Sequence, residues 1–169
     1  MGGHNFLDPN LIKGLVQKLN GTIVECNTAY AGKRMNSSDH WKTIKAHGFT
    51  KIAPCDIMDE EDELEILVNG GEHLQNKNIV GSHIKNYDSM LMLSHFKGHV
   101  MGGFGGTLKN MSIGVASSNG KAWIQPVGRT KDPKEMWGLI DDQDGFLESM
   151  AEADKAVIEY FKPEKYGLY

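Results

Sequence analysis

The stretch LDPNLIKGLVQKLNGTIVEC, Leu7 to Cys26, carries one helix and one strand in succession and decides how the rest of the chain is read. Asp8 is placed to cap a helix, Pro9 suits its first turn, and Asn20 and Gly21 stop it. Leu11, Ile12, Leu15, Val16 and Leu19 recur at helical spacing and form its apolar stripe. TIVEC then has the β-branched character of a short buried strand. The alternation continues downstream. The polar loop NTAYAGKRMN is followed by a helix, SSDHWKTIKAHG, with serine at its start and Gly48 at its end. FTKIAP, LEILV, NIVGSHI and DSMLML read as further strands, with the acidic run DIMDEEDE between the first two. This order predicts an α/β fold: a single-domain sandwich over residues 1–169, with a central parallel or mixed sheet flanked by helices.

The second half is less regular. GGTLKNMSIGVAS opens a helix at its glycines, and KAWIQPV reads as a short strand ended by Pro126. Asp144 is placed to cap a long final helix, in which Phe146, Leu147, Met150, Ala153, Val157 and Phe161 follow helical spacing.

Composition narrows the classes of function. With 40% hydrophobic and 24% charged residues, the chain has the make-up of an ordinary globular domain. A net charge of -4 and only two arginines, Arg34 and Arg129, give none of the basic footprint of a nucleic-acid partner. No apolar run approaches the roughly twenty residues that span a bilayer, so no membrane partner is expected. The start MGGHNFLDPN lacks the charged and apolar succession of a signal peptide, which makes a cytoplasmic address the default. Cys26 and Cys55 have neither zinc nor cluster spacing and are expected as free thiols.

The densest chemistry lies in SHFKGHVMGGFGGTLKN, Ser94 to Asn110. Gly102, Gly103, Gly105 and Gly106 allow a tight turn and a close approach of a ligand to the backbone. Amides that point outward together at the following helix favour an anion, although neither the dinucleotide pattern nor the phosphate-loop pattern is matched. Lys109, just beyond the glycines, can pair with an anionic ligand or act as a nucleophile if its pKa is lowered. His95 and His99 are metal ligands or proton carriers in this reading, and a divalent metal is the candidate cofactor. Ligands of open α/β sheets collect beyond the carboxyl ends of strands, which adds the loop after TIVEC with Asn27, Thr28 and Arg34. Arg34 can hold a carboxylate or phosphate through two parallel hydrogen bonds, or can serve as a surface ion pair. DIMDEEDELE lacks the sixth-position glycine of a calcium loop and reads as a solvated acidic loop.

VECNTAYAGKRMNSSDHWKTIKAHGF, VGSHIKNYDSMLMLSHFKGHVMGGFGGTLKNMSIGVASSNGKAW and FLESMAEADKAV together resemble the uncharacterised iron–sulfur-center proteins, a domain-of-unknown-function family. The resemblance implies a redox association, and members typically continue into a cysteine-rich, ferredoxin-like part that binds the clusters. This chain stops before any such part, so it resembles an isolated N-terminal domain and is not expected to hold a cluster itself. HVMGGFGGTLKNMSIGVAS is also similar to the glycine-rich segment of nickel-pincer lactate racemases, in which a histidine stands ten positions before the lysine that anchors the cofactor. His99 and Lys109 match that spacing, whereas Gly105 and Gly106 are displaced by one position. The racemase likeness implies catalytic roles for His99 and Lys109.

Two functions are expected on these grounds. One is a redox-associated enzyme domain that binds an anionic substrate or cofactor at the two glycine- and arginine-bearing loops. The other is a non-catalytic binding or electron-transfer module, self-associating or docking with a cluster-binding domain.

Overall fold

A computed structural model describes residues 6–162. Helix α1 (Pro9–Lys18) begins as the sequence predicts, with the Asp8 carboxylate accepting the Asn10 amide at 2.9 Å. Its stripe is divided. Ile12 packs on a small core of Ile44, Phe49 and Ile57, while Leu11, Leu15 and Leu19 stay exposed. Strand β1 (Ile23–Glu25) follows and pairs in parallel with β2 (Cys55–Ile57), Val24 opposite Asp56. Helix α2 (Ser37–Ala46) makes the crossover between them, capped by the Asn36 side chain.

The architecture is mixed α/β in one compact domain, and its strands are grouped as one parallel and two antiparallel pairs. Strands β3 (Glu63–Leu67) and β4 (Lys77–Gly81) form a five-residue antiparallel ladder. Strands β5 (Lys97–His99) and β6 (Gly103–Gly105) form a short hairpin inside the glycine-rich stretch. Helices α3 (Thr107–Val115), α4 (Ser118–Ile124) and α5 (Gln143–Tyr160) complete the fold.

Four local expectations are corrected. FTKIAP is a 3-10 turn, Phe49–Lys51, because Gly48 at φ 83° ends α2 and Phe49 drops straight into the core. The strand of that region is instead Cys55–Ile57, at the edge of the acidic run. DSMLML has a strand's alternation, with Met90 and Met92 against the core and Leu91 and Leu93 outward, but it joins no ladder. KAWI, the first four residues of KAWIQPV, belongs to helix α4, where Gly120 to Ile124 are all buried; a short element buried on every side shows neither period. The cap of α5 is Asp142, whose carboxylate accepts the Gly145 amide at 2.8 Å, rather than Asp144.

The main core lies where α4 and α5 cover the β3–β4 ladder, around Ile79, Val80, Ile84, Ile124, Phe146, Ala153 and Val157. Helix α4 approaches β4 closely because Gly120 has no side chain; a Cβ there would stand 1.8 Å from the Ile79 carbonyl oxygen. The corner between α3 and α4 also touches β4, through an isolated bridge between Val80 and Ala116 and the Ser117 amide donating to Ile79 at 3.1 Å. Glu152 fastens α5 to the loop before β4. Its carboxylate accepts the amides of Glu72 at 2.6 Å, His73 at 3.0 Å and Leu74 at 3.0 Å. Three donors on one carboxylate form an internal version of an anion nest.

Candidate functional site

Two polar centres flank α3. The first lies at the carboxyl ends of the parallel pair β1–β2, where α/β folds collect ligands. Glu25 closes β1 and, among the described residues, is engaged by Arg34 and His40: Arg34 Nη1 donates to Oε1 at 3.0 Å, and His40 Nε2 stands 3.0 Å from Oε2. The other ring nitrogen of His40, which is wholly buried, is 3.0 Å from Asn27 Oδ1. Burial raises the pKa of Glu25; the His40 hydrogen bond and the Arg34 charge are among the influences that lower it, and the carboxyl stands well below its usual range.

Asp59, in the loop after β2, ties this centre to α4. One carboxylate oxygen accepts the Asn27 amide at 2.8 Å and the other accepts the Ser118 amide at 3.0 Å. The Thr28 amide donates to the Arg34 carbonyl at 2.8 Å, which closes the loop into a compact unit. Beneath it are Cys26 and Lys121, both buried. Cys26 Sγ donates to the Val115 carbonyl, and burial pushes its thiol up to about 12. Lys121 Nζ donates to the Ala116 carbonyl at 2.5 Å; burial lowers its pKa, against the opposing pull of Cys26, Asp59 and Glu25.

The second centre is the glycine hairpin at the opposite end of α3, whose nine residues span about 13 Å. Side chains alternate across a strand, so Lys97 and His99 share one face. On that face Gly105 has no side chain and is buried; a Cβ there would lie 3.5 Å from Lys97 Cγ and 3.9 Å from His99 Cβ, so these two side chains pack over it. The turn is made by Gly103 at φ 61°. The other face carries Phe96 and Phe104, packed edge to face at 4.8 Å.

His99 is fixed by the turn it precedes. Its Nδ1 accepts the Met101 amide at 3.2 Å and the Gly102 amide at 3.0 Å. In the neutral ring the proton therefore sits on Nε2, which becomes a hydrogen-bond donor. Burial and the charges of Lys109 and Lys97 hold its pKa below the ordinary histidine value. Lys109, on the first turn of α3, is half-buried, and burial followed by the Lys97 and Lys121 charges lowers its pKa too. Among the described residues, the ammonium groups of Lys97 and Lys109 have no hydrogen-bond or ion-pair partner.

The sequence-predicted residues thus fall into two groups. Asn27, Thr28 and Arg34 belong to the strand-end centre, where Arg34 is engaged by Glu25. His99, Lys109, Gly102, Gly103, Gly105 and Gly106 belong to the hairpin. His95 lies before β5 and is exposed, while His99 lies on the strand, so the pair lacks the one-face geometry of two helical positions four apart. Metal at His99 Nε2 would need a proton on Nδ1, where two amide donors already point. Among the described residues, no three His, Cys, Asp or Glu side chains form a metal-binding group. No described helix is long and apolar enough to cross a membrane.

Sequence reasoning assigned no site role to Lys97, His40, Asp59 or Lys121. Lys97 had a signal available, since it stands two residues before His99 in a stretch that alternates. The other three are joined only by tertiary contact.

Among the described residues, the second centre gathers donors without acceptors: a glycine hairpin bordered by two lysines and an imidazole N–H. No curated protein and no solved structure matches the chain. The model of the domain of unknown function DUF362 matches residues 2–164, nearly the full length, and the chain belongs to that family.

Proposed function

We propose that this domain binds a small anionic substrate or cofactor on the glycine hairpin, with Lys97, Lys109 and His99 Nε2–H as its donors. The observation that carries it is the convergence of three basic groups, with no acceptor opposite them among the described residues, on the hairpin face that Lys97 and His99 share. Like charges gathered on one surface cost stability, and a ligand of opposite charge removes the cost. The fixed tautomer of His99 makes the site donor-only, which suits a carboxylate or phosphate and disfavours a cation.

The resemblance to iron–sulfur-center proteins extends the proposal to a redox-associated enzyme in which the bound anion is substrate or cofactor. Lys109, with its lowered pKa, would be the group able to act as a nucleophile, and His99 the group able to pass a proton. Racemase-like chemistry at His99 and Lys109 would use the same two groups. A divalent metal would be bound only through an anion that bridges it to these donors.

Calorimetric titration of inorganic phosphate, sulfate and oxalate into the wild type and Lys109→Met tests the proposal. Saturable binding to the wild type, weakened by the substitution, is expected; equal affinities, or no binding of any anion, would refute it.

A second function, a non-catalytic docking or electron-transfer module, is favoured by the opposite face of the same hairpin. Phe96 is 80% exposed, Phe104 53% and Val100, at the tip, fully so. An apolar group of this kind on a projecting hairpin suits a protein partner. Replacement of Phe96 and Phe104 by serine would then abolish association while anion binding persists.

A further inference from the structure

A separate cleft of about 330 Å³ lies between the loop after β1 and the segment that precedes α5. Tyr30 and Met35 line it from the first, Pro133 and Trp137 from the second, with Ser118 of α4 also in the lining. Three of these large side chains are unusually open to solvent: Tyr30 is 47% exposed, Met35 52% and Trp137 57%. Isolated exposed apolar residues need no explanation, but aromatic and thioether groups gathered on one concavity do.

The cleft is held in shape before any ligand arrives. Ala29 from one wall and Met136 from the other meet Ala122 of α4 in a small buried cluster. Ser118 Oγ donates to the Thr28 carbonyl at 3.2 Å, and the Thr28 amide bond to Arg34 closes the loop. On the far side Arg129 donates to the Leu139 carbonyl and to Asp141. Rigid walls lower the ordering cost of binding.

Size and charge select the occupant. The volume is at the lower end for small-molecule sites, enough for one ring system and too small for a folded partner's side. Asp132 and Lys134 both border the cleft and cancel, so neither a net cation nor a net anion is preferred. Asp132 Oδ1 accepts the Lys134 amide at 2.8 Å, and its other oxygen has no hydrogen-bond partner among the described residues. We infer that the cleft is a binding site for a neutral planar heteroaromatic ring, stacked against Tyr30 and Trp137, with an exocyclic amino group donating to Asp132. The cleft opens at the carboxyl end of β1, the position where α/β folds place ligands, and is distinct from the glycine hairpin.

Adenosine is a suitable probe, with purine riboside, which lacks the amino group, and benzyltrimethylammonium as comparisons. The indole N–H signal of Trp137, assigned by its loss in Trp137→Phe, is followed by NMR through each titration. Saturable displacement by adenosine is expected, with purine riboside several-fold weaker. Trp137→Ala should weaken adenosine binding roughly tenfold, the usual worth of one stacking partner. Tyr30→Ala, at a second exposed position, should act in the same direction. No displacement by adenosine, tighter binding of benzyltrimethylammonium, or unchanged affinity in both alanine variants would overturn the inference. None of these outcomes depends on whether the hairpin binds anions.

Discussion

Lys109→Met separates a binding lysine from a structural one by the sign of its effect on stability. Methionine keeps most of the apolar stem and removes the ammonium. The folded state holds that ammonium half-buried, with Lys97 and Lys121 as like-charged neighbours, and its pKa is lowered from 10.5 for these reasons. A base with a lowered folded pKa costs stability wherever it is charged. The cost is full below the folded pKa and fades as pH climbs toward 10.5, because the unfolded chain keeps its proton longer. Partly solvated like charges contribute a fraction of a kcal/mol each, so the relief on substitution is on the order of 1 kcal/mol at neutral pH. For a domain of this size that raises Tm by about 2–4 °C. Loss of one charge-assisted hydrogen bond should meanwhile weaken phosphate roughly 10- to 100-fold. Urea denaturation and calorimetric titration read the two effects. The variant is therefore expected to be more stable and bind worse, and the stability gain should shrink as pH approaches 10.5. A less stable variant with unchanged phosphate affinity would show that Lys109 is a packing residue, and the anion site would fall with it.

Removal of the carboxylate in Glu152→Ala strands three amides of residues 72–74 and should cost about 2–3 kcal/mol in urea denaturation. A loss under about 0.5 kcal/mol would mean that solvent serves those amides equally well. Gly120→Ala drives a methyl into the Ile79 carbonyl and should cost more than about 3 kcal/mol or prevent folding, seen as lost near-ultraviolet circular dichroism; a native-like spectrum and stability would contradict the close packing of α4 on β4. His83 Nδ1 is 2.8 Å from Asp56 Oδ1, and this hydrogen bond, with the Asp56 and Glu61 charges, raises the histidine pKa despite partial burial. Stability from the pair is complete below the ordinary value of 6.5 and is lost as pH rises through the elevated folded pKa. Asp56→Asn should bring the NMR-titrated pKa of His83 back toward 6.5, and an unmoved titration would assign the shift elsewhere.

How far sequence carried depends on whether the relevant contacts were local. Helix α1 was legible from Asp8 and Pro9 because capping is decided within one turn, and the mixed α/β class followed from the alternation after it. The burial of its stripe was not, since only tertiary packing sends Ile12 inward and leaves Leu11 outside. Helix α4 was hidden for a physical reason: residues buried on all sides carry neither the period of a strand nor that of a helix. The β5–β6 hairpin was masked by its own glycines, which lower strand propensity and mark a turn without saying what flanks it. In the candidate site, the glycine run and Lys109 just beyond it could be singled out from the sequence. The separation of Arg34 from them could not, because it depends on Glu25 claiming the guanidinium and on α3 standing between the two loops. The fixed tautomer of His99 comes from the amides of Met101 and Gly102, groups that no residue code records.

The most direct test of the anion site is amide and side-chain nitrogen NMR during titration with inorganic phosphate near neutral pH. The hairpin assignment predicts saturable shifts at His99 Nε2, at the Lys109 ammonium and at the amides of Gly102 to Gly106, all with one dissociation constant. The same constant should be met in reverse on dilution, and Arg34 and Asn27 should stay still. Shifts confined to Arg34 and Asn27, or no saturable shift at the hairpin, would contradict it.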